Sequence, residues 1–254
     1  PEGAQLMSPS VVLDQKYEML HVPVKEIVQD ASTAKERIAE GRNVCGIHFT
    51  NGDAFAVASV MNCEGKELAV RYFKGGKEYT HRCSKVLEKI DKSRKSRGEN
   101  AGGRVNQKYW MHLKHLGEQY AHQVSLDILT FCKEQDVSVI AFPKYDEEYR
   151  RHVLKGAGNF GTLHLSTRIR EYLTYKVWKE GILVLDVNAK EMHRICAVCG
   201  NEIAQQDKQS KRFVCEEGHQ GDAYLNVARN AAKRCMGQFR KKAGKEKNVS
   251  AKKS

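Results

Sequence analysis

Three cysteines and a histidine form the densest set of metal ligands in the chain: Cys196-x2-Cys199, fifteen intervening residues, then Cys215-x3-His219. Each pair sits on a short turn that aims two side chains at one point. Thiolate and imidazole donors in fours suit a closed tetrahedral Zn²⁺ site. Gly200, directly after the second cysteine, permits the tight knuckle. Arg194, Lys208, Lys211 and Arg212 surround the cluster and favour the thiolate form. A fourth cysteine is usual three residues past Cys215, but Gly218 stands there. His219 is therefore the expected fourth ligand, with His193 as its competitor. The bland alternative is a small ribbon whose cysteines hold nothing. Cys45, Cys63, Cys83 and Cys132 are isolated and read as reduced core residues.

Charge is the second signal. The chain has 254 residues, 43 Lys and Arg against 31 Asp and Glu, and a formal net charge of +12. Residues 74–114 carry 12 basic side chains against 4 acidic ones, and residues 231–254 carry 9 against 1. The first 42 residues have 5 against 7. Clustered excess of this kind points to a polyanionic partner, with a solvated loop and tail as the competing reading. Lys74, Lys77, Arg82, Lys85, Lys92, Arg94, Lys95, Arg97, Arg104 and Lys108 are the expected phosphate contacts. Tyr109 and Trp110, beside them, read as core before stacking platform. With 41% apolar residues the chain can build a core, which excludes disorder throughout. No apolar run approaches the ~20 residues that span a bilayer, so no membrane partner is expected, and a soluble cytoplasmic protein is.

Positioning these groups falls to an alternating set of elements. Val11 to Val24 reads as two strands ending at Pro23, and residues 25–41 as a charged helix. Residues 43–49, 54–60 and 68–73 form an antiparallel meander whose first turn carries Asn51-Gly52. A basic connector rich in Ser and Gly runs on through Gly102-Gly103. Trp110, Leu113, Leu116, Tyr120, Val124, Ile128 and Phe131 then recur every three or four residues, the spacing of a long helix. Residues 137–142 make a buried-type strand stopped by Pro143. A Gly-rich loop, a helix near 165–179, a strand at 182–187, the cysteine cluster and a last helix from about Asp222 complete the order. Meander, helix, strand, helix, strand, helix is the order of an α/β, RNase H-like domain.

Five stretches together resemble the carboxy-terminal half of TnpB proteins and the type V CRISPR effectors. They are Cys45-Gly46-Ile47-His48, Ala121-His122-Gln123-Val124-Ser125, residues 139–143, Cys196-Ala197-Val198-Cys199-Gly200, and residues 218–230. The resemblance spans residues 40–235 and implies a RuvC-like domain with an inserted zinc ribbon. It divides the chain into a wedge-like β segment and linker helix at 1–40, the RuvC-like fold at 41–190, the ribbon at 191–220, the last helix at 221–240, and a basic flexible tail at 241–254.

That family cuts DNA with three acids holding paired Mg²⁺ ions. Here the resemblance puts His48, Pro143 (with Ala141 as the alternative) and Tyr224 at those positions, and Asp222 matches only the outer acid of the last motif. The expectation is a protein that binds guide RNA and target DNA without cleavage, for transcriptional repression or guided transposition, with structural zinc and no catalytic Mg²⁺. Two alternatives stand: an Mg²⁺-dependent endonuclease whose site moved to Asp53, Asp146, Glu147, Glu148 or Asp186, and a zinc-ribbon scaffold. Because the family carries a long amino-terminal half, a further protein chain or such a half is an expected partner.

Overall fold

The structure, a computed structural model, describes residues 5–13, 18–25, 32–97, 106–157, 160–207 and 209–250. Strands β1 (Gln5–Leu6) and β4 (Val24–Lys25) pair, as do β2 (Ser10–Leu13) and β3 (Glu18–His21). Helix α1 covers only Ala34–Ala39, starting at a capping box in which Thr33 and Glu36 satisfy each other's backbone N–H. The helix expected over 25–41 is thus confined to its carboxy-terminal part among the described residues, and residues 26–31 lie outside them.

The meander is β5 (Asn43–Phe49), β6 (Ala54–Met61) and β7 (Glu67–Lys74), antiparallel throughout. Helix α2 (Gly76–Arg97) follows, then α3 (Gln107–Glu134), β8 (Val137–Lys144), α4 (Glu147–Gly156), a 3₁₀ turn (Thr162–Leu165), α5 (Ser166–Lys179) and β9 (Leu183–Asn188). Strands β8 and β9 join the meander in parallel, giving a mixed five-stranded sheet ordered β7-β6-β5-β8-β9. A small antiparallel sheet of β10 (Ile203–Gln206), β11 (Arg212–Cys215) and β12 (Gln220–Asp222) precedes α6 (Ala223–Ser250).

Period-two alternation explains the two layers. Cys45 and Ile47 of β5, with Ile140 and Phe142 of β8, face α2, α3 and α5. Val44, Val139 and Ala141 face α1 and α6 on the other side. Strand β6, between β7 and β5, is buried along its whole length. Gly46 lets α6 lie on the sheet: a Cβ there would stand 2.0 Å from the Ala228 carbonyl oxygen. Buried Arg37 locks α1 down by donating to the carbonyls of Ser138 and Gly181.

Three expectations change, and one helix is added. The connector over 74–103 is largely α2, because Tyr79, Cys83, Val86 and Ile90 form a buried stripe at helical spacing. Strand β8 does not stop at Pro143 but continues to Lys144, paired with β9 after its β5 partners end at Ala141. Between β8 and the Gly-rich loop expected over 156–161 lies a further helix, α4, capped by the Asp146 carboxylate on the Tyr149 N–H at 2.7 Å. Residues 241–250, read as a flexible tail, continue α6. Gly102-Gly103, Arg104 and residues 251–254 lie outside the described residues.

Candidate metal centre and adjoining cleft

Two knuckles build the cysteine cluster. At the first, the Cys196 N–H donates to the Asn201 carbonyl and the Gly200 N–H to the Cys196 carbonyl, with Gly200 at φ +84°. At the second, the Gly218 N–H donates to the Cys215 carbonyl, with Gly218 at φ +80°. Both glycines occupy the left-handed region that a Cβ disfavours. The ligand atoms of Cys196, Cys199, Cys215 and His219 converge within 4.8 Å of one another. Cys199 Sγ lies 3.7 Å from Cys215 Sγ, and Cys215 Sγ lies 3.5 Å from His219 Nδ1. A tetrahedral ion with Zn–S near 2.3 Å needs edges of about 3.8 Å between sulfurs and about 3.6 Å from sulfur to nitrogen. Those two edges match the tetrahedron, and the four donors suit the ion. Burial pushes the Cys196 thiol up, but the backbone N–H groups of Cys199 and Val198 outweigh it and hold it below its ordinary range. His193, the competitor, is exposed and stacks on Tyr149 at 6.3 Å.

Residues of the last motif turn out to be mortar. Asn226, buried at the start of α6, accepts from the Ala197 N–H at 2.7 Å and donates to the Ile195 carbonyl at 2.8 Å. Asn230 donates to the carbonyls of Met192 and Ile195. Arg229 makes a bidentate pair with Glu67 of β7 at 2.6 and 2.8 Å. Asp222 caps α6, accepting from the Leu225 N–H at 2.8 Å. One helical turn thereby fixes the first knuckle, the meander and the helix start together.

The three positions singled out by resemblance do converge. His48 at the end of β5, Pro143 in β8 and Tyr224 at the start of α6 line one cavity of about 1050 Å³. The His48 and Tyr224 rings lie 5.6 Å apart and Tyr145 stands edge-on to His48 at 6.2 Å. Burial lowers the His48 pKa to about 4, so its imidazole is neutral near pH 7, and burial raises the phenols of Tyr145 and Tyr224. Of the alternative acids, only Asp186 enters this cavity, and Arg170 holds it in an ion pair at 2.7 Å. Asp53 is exposed in the first turn of the meander, Asp146 caps α4, and Glu147 and Glu148 are exposed in its first turn. Among the described residues the Cys₃His cluster is the one group of three or more His, Cys, Asp or Glu close enough to share an ion. Sequence reasoning missed the cavity's aromatic wall, formed by Tyr145, Tyr149, Tyr175 and Trp178. Tyr145 and Tyr149 are four residues apart and Tyr175 and Trp178 three apart, but nothing in the sequence joins the two pairs into one wall.

The expected phosphate contacts group mainly on α2. Lys77, Arg82, Lys85, Lys92, Arg94 and Lys95 are exposed along it, Lys74 ends β7, and Lys108 lies over the Tyr109 ring at the start of α3. Arg82 pairs with Glu78 and Lys85 with Glu88, while Lys77, Lys92, Arg94 and Lys95 make no ion pair among the described residues. Arg97 ends α2.

Residues 167–231, from α5 to the first turns of α6, match the family model of the Cas12f1-like TNB domain. No curated protein matches the chain in sequence. Among solved structures, the chain is similar to a Cas12f1–sgRNA–target DNA complex at 12% identity and TM-score 0.57, covering 87% of this chain and 55% of that one. A CRISPR-Cas12f ternary complex gives 13% identity and TM-score 0.57, covering 90% and 44%. The AacC2c1–sgRNA binary complex gives 8% identity and TM-score 0.59, covering 90% and 47%. The chain therefore spans about half the length of the structures it matches.

Proposed function

We propose that this chain, a TnpB-like relative of the type V CRISPR effectors, is the RuvC-like portion of an RNA-guided DNA-binding protein that has lost its nuclease activity. In this reading the five-stranded sheet is an RNase H-like fold, the small sheet is a zinc ribbon, and Cys196, Cys199, Cys215 and His219 hold one Zn²⁺ as a structural ion. Guide RNA and target DNA are the partners, held through phosphates while base pairing selects the sequence.

One observation carries the reading. Where paired Mg²⁺ ions would need converging carboxylates, the cavity presents neutral His48, Pro143 and the phenol of Tyr224; its two carboxylates, Asp186 and Glu171, belong to no group of three or more ion ligands among the described residues, and Arg170 neutralises Asp186. Such a set lacks the negative charge to strip water from Mg²⁺ and hold it. The similarity to structures solved with single-guide RNA supports the nucleic-acid partners.

Two measurements on the expressed protein test this. RNA recovered with the purified chain is sequenced, and that RNA is used to programme a matched DNA duplex in Mg²⁺. The expected outcome is a discrete guide-like RNA and a bound, uncut duplex. Recovery of no discrete RNA refutes guided binding; Mg²⁺-dependent strand scission lost in Asp186→Ala refutes the inactive site.

A further inference from the structure

The ligands of the cysteine cluster differ in what reaches them from solvent. Cys196 and Cys215 are 1% and 2% exposed, whereas Cys199 is exposed on the outer turn of the first knuckle. Gly200 beside it faces open space, since even a Cβ there would meet nothing within 4 Å. Val198, on its other side, is 59% exposed. A small oxidant therefore reaches Cys199 Sγ before the other sulfurs of the cluster. Elsewhere Cys45, Cys83, Cys132 and Cys235 are buried in the two cores, and Cys63 is half-buried.

Two sulfurs stand near Cys199, and they are not equivalent. Cys196 Sγ accepts the Val198 N–H at 3.4 Å, and its own backbone N–H is tied to the Asn201 carbonyl. Asn226 of α6 fixes the same turn through Ala197 and Ile195. Cys215 Sγ belongs to the other knuckle and lies 3.7 Å from Cys199 Sγ. A disulfide is about 2.0 Å long, so this pair must draw together by about 1.7 Å. Cys199 lies outside the small core of Cys196, Phe213 and Cys215, and its side chain can turn toward Cys215 without disturbing that core.

We propose that Cys199 is an oxidation site for peroxide, that Cys215 is the thiolate that resolves it, and that their disulfide expels the metal. Cys199 Sγ attacks one peroxide oxygen; the O–O bond breaks, hydroxide leaves and a sulfenic acid forms. Cys215 Sγ then attacks Cys199 Sγ, the S–O bond breaks and a second hydroxide leaves. Two thiolates have given two electrons to one peroxide. The cluster keeps only Cys196 and His219 as donors, too few for a closed site. The new bond joins the same two knuckles as the ion, so the ribbon stays stapled, and a dithiol that reduces it restores the donor set. The proposal rests on the zinc reading above and adds a reversible oxidation to it.

The full chain, purified with zinc under reducing conditions, is assayed by elemental analysis, freed of reductant and treated with hydrogen peroxide beside a chromogenic zinc chelator. Release of about one equivalent of zinc is the expected result. Alkylation, digestion and mass spectrometry should then find a Cys199–Cys215 crosslinked peptide, lighter by two hydrogens than its two parts. Dithiothreitol with added zinc should return the equivalent. Cys199→His keeps four N/S donors but lacks the exposed sulfur, so its zinc should stay through the same treatment. Cys63→Ser, outside the cluster, should release zinc as the unaltered chain does. A chain that holds no zinc refutes the structural-zinc reading and the release with it. Zinc held through peroxide, zinc released without the Cys199–Cys215 crosslink, or zinc lost equally from Cys199→His refutes the oxidation site and leaves the zinc reading intact. If Cys199→His binds no zinc, release and crosslink in the unaltered chain decide the matter.

Discussion

His219 stands one residue beyond the place where a fourth cysteine is usual, and the backbone absorbs the difference. Gly218 turns in the left-handed region, and the Cys215 N–H donates to the His219 carbonyl, which brings Nδ1 back to the cluster. Cys196→Ala with Cys199→Ala should therefore lose about one equivalent of zinc by elemental analysis, whereas His219→Cys should keep it, because a thiolate satisfies the same tetrahedron. Zinc retained by the double variant would displace the ligand assignment. At the cavity, His48 makes a second residue-scale prediction. Its pKa falls from 6.5 to about 4 on folding because burial disfavours the imidazolium. Between those values the unfolded chain binds a proton that the folded one refuses, so stability is full above pH 6.5 and declines as the pH falls towards 4. His48→Gln removes that contribution, and its denaturation midpoint should depend less steeply on pH across this window than that of the unaltered chain. Equal slopes would mean that His48 stays open to water in the folded state.

Elements impose a different kind of requirement, seen where α6 crosses β5. Gly46 is the point of nearest approach, and a methyl group there meets the Ala228 carbonyl and the Ala232 nitrogen at 2.0 and 2.7 Å, both backbone atoms that no rotamer can move. Gly46→Ala must displace the helix, at a cost of about 3 kcal/mol or more. For a chain of this size that is a loss of roughly 6–12 °C in Tm, readable by circular dichroism. Gly200→Ala meets open space and bears only the left-handed backbone penalty of about 1–2 kcal/mol, so it is the milder variant. A Tm unchanged in Gly46→Ala would show that α6 does not seat on the sheet. The same elements explain what the sequence disclosed. The meander, α3, β8, β9 and the knuckles announced themselves because alternation, helical spacing and Cys-x2-Cys pairing are local signals. Helix α2 hid because its four buried residues are diluted among lysines and serines, and α4 because it has no buried residue, although Asp146 followed by two glutamates is a helix-start signal. The cleft was half legible: resemblance located His48, Pro143 and Tyr224, but only the tertiary fold brings residues of α4 and α5 to the same cavity.

For the molecule as a whole, charge must be judged by where the fold puts it. Residues 74–97 look like a basic connector in sequence, yet α2 makes 76–97 of them a rod of 22 residues, about 33 Å long. Tyr79, Cys83, Val86 and Ile90 pin one side, and at about 3.6 residues per turn Lys77, Lys85, Lys92 and Lys95 fall on the side away from them. A disordered connector would let these lysines adapt to any polyanion; a seated helix presents them in fixed order, as binding a duplex backbone requires. Lys77, Lys92 and Lys95 have no ion-pair partner among the described residues, so neutralising them breaks no pair there. The triple Lys→Gln variant should fold with an unchanged Tm and bind nucleic acid more weakly. If each lysine meets a duplex phosphate, each contributes about −0.9 to the slope of log K against log salt concentration. The variant's slope should therefore be shallower by about 2 to 3, measured by fluorescence anisotropy across a salt series. A slope identical to that of the unaltered chain would move the polyanion contact off α2, leaving the basic run at 231–254 to test next.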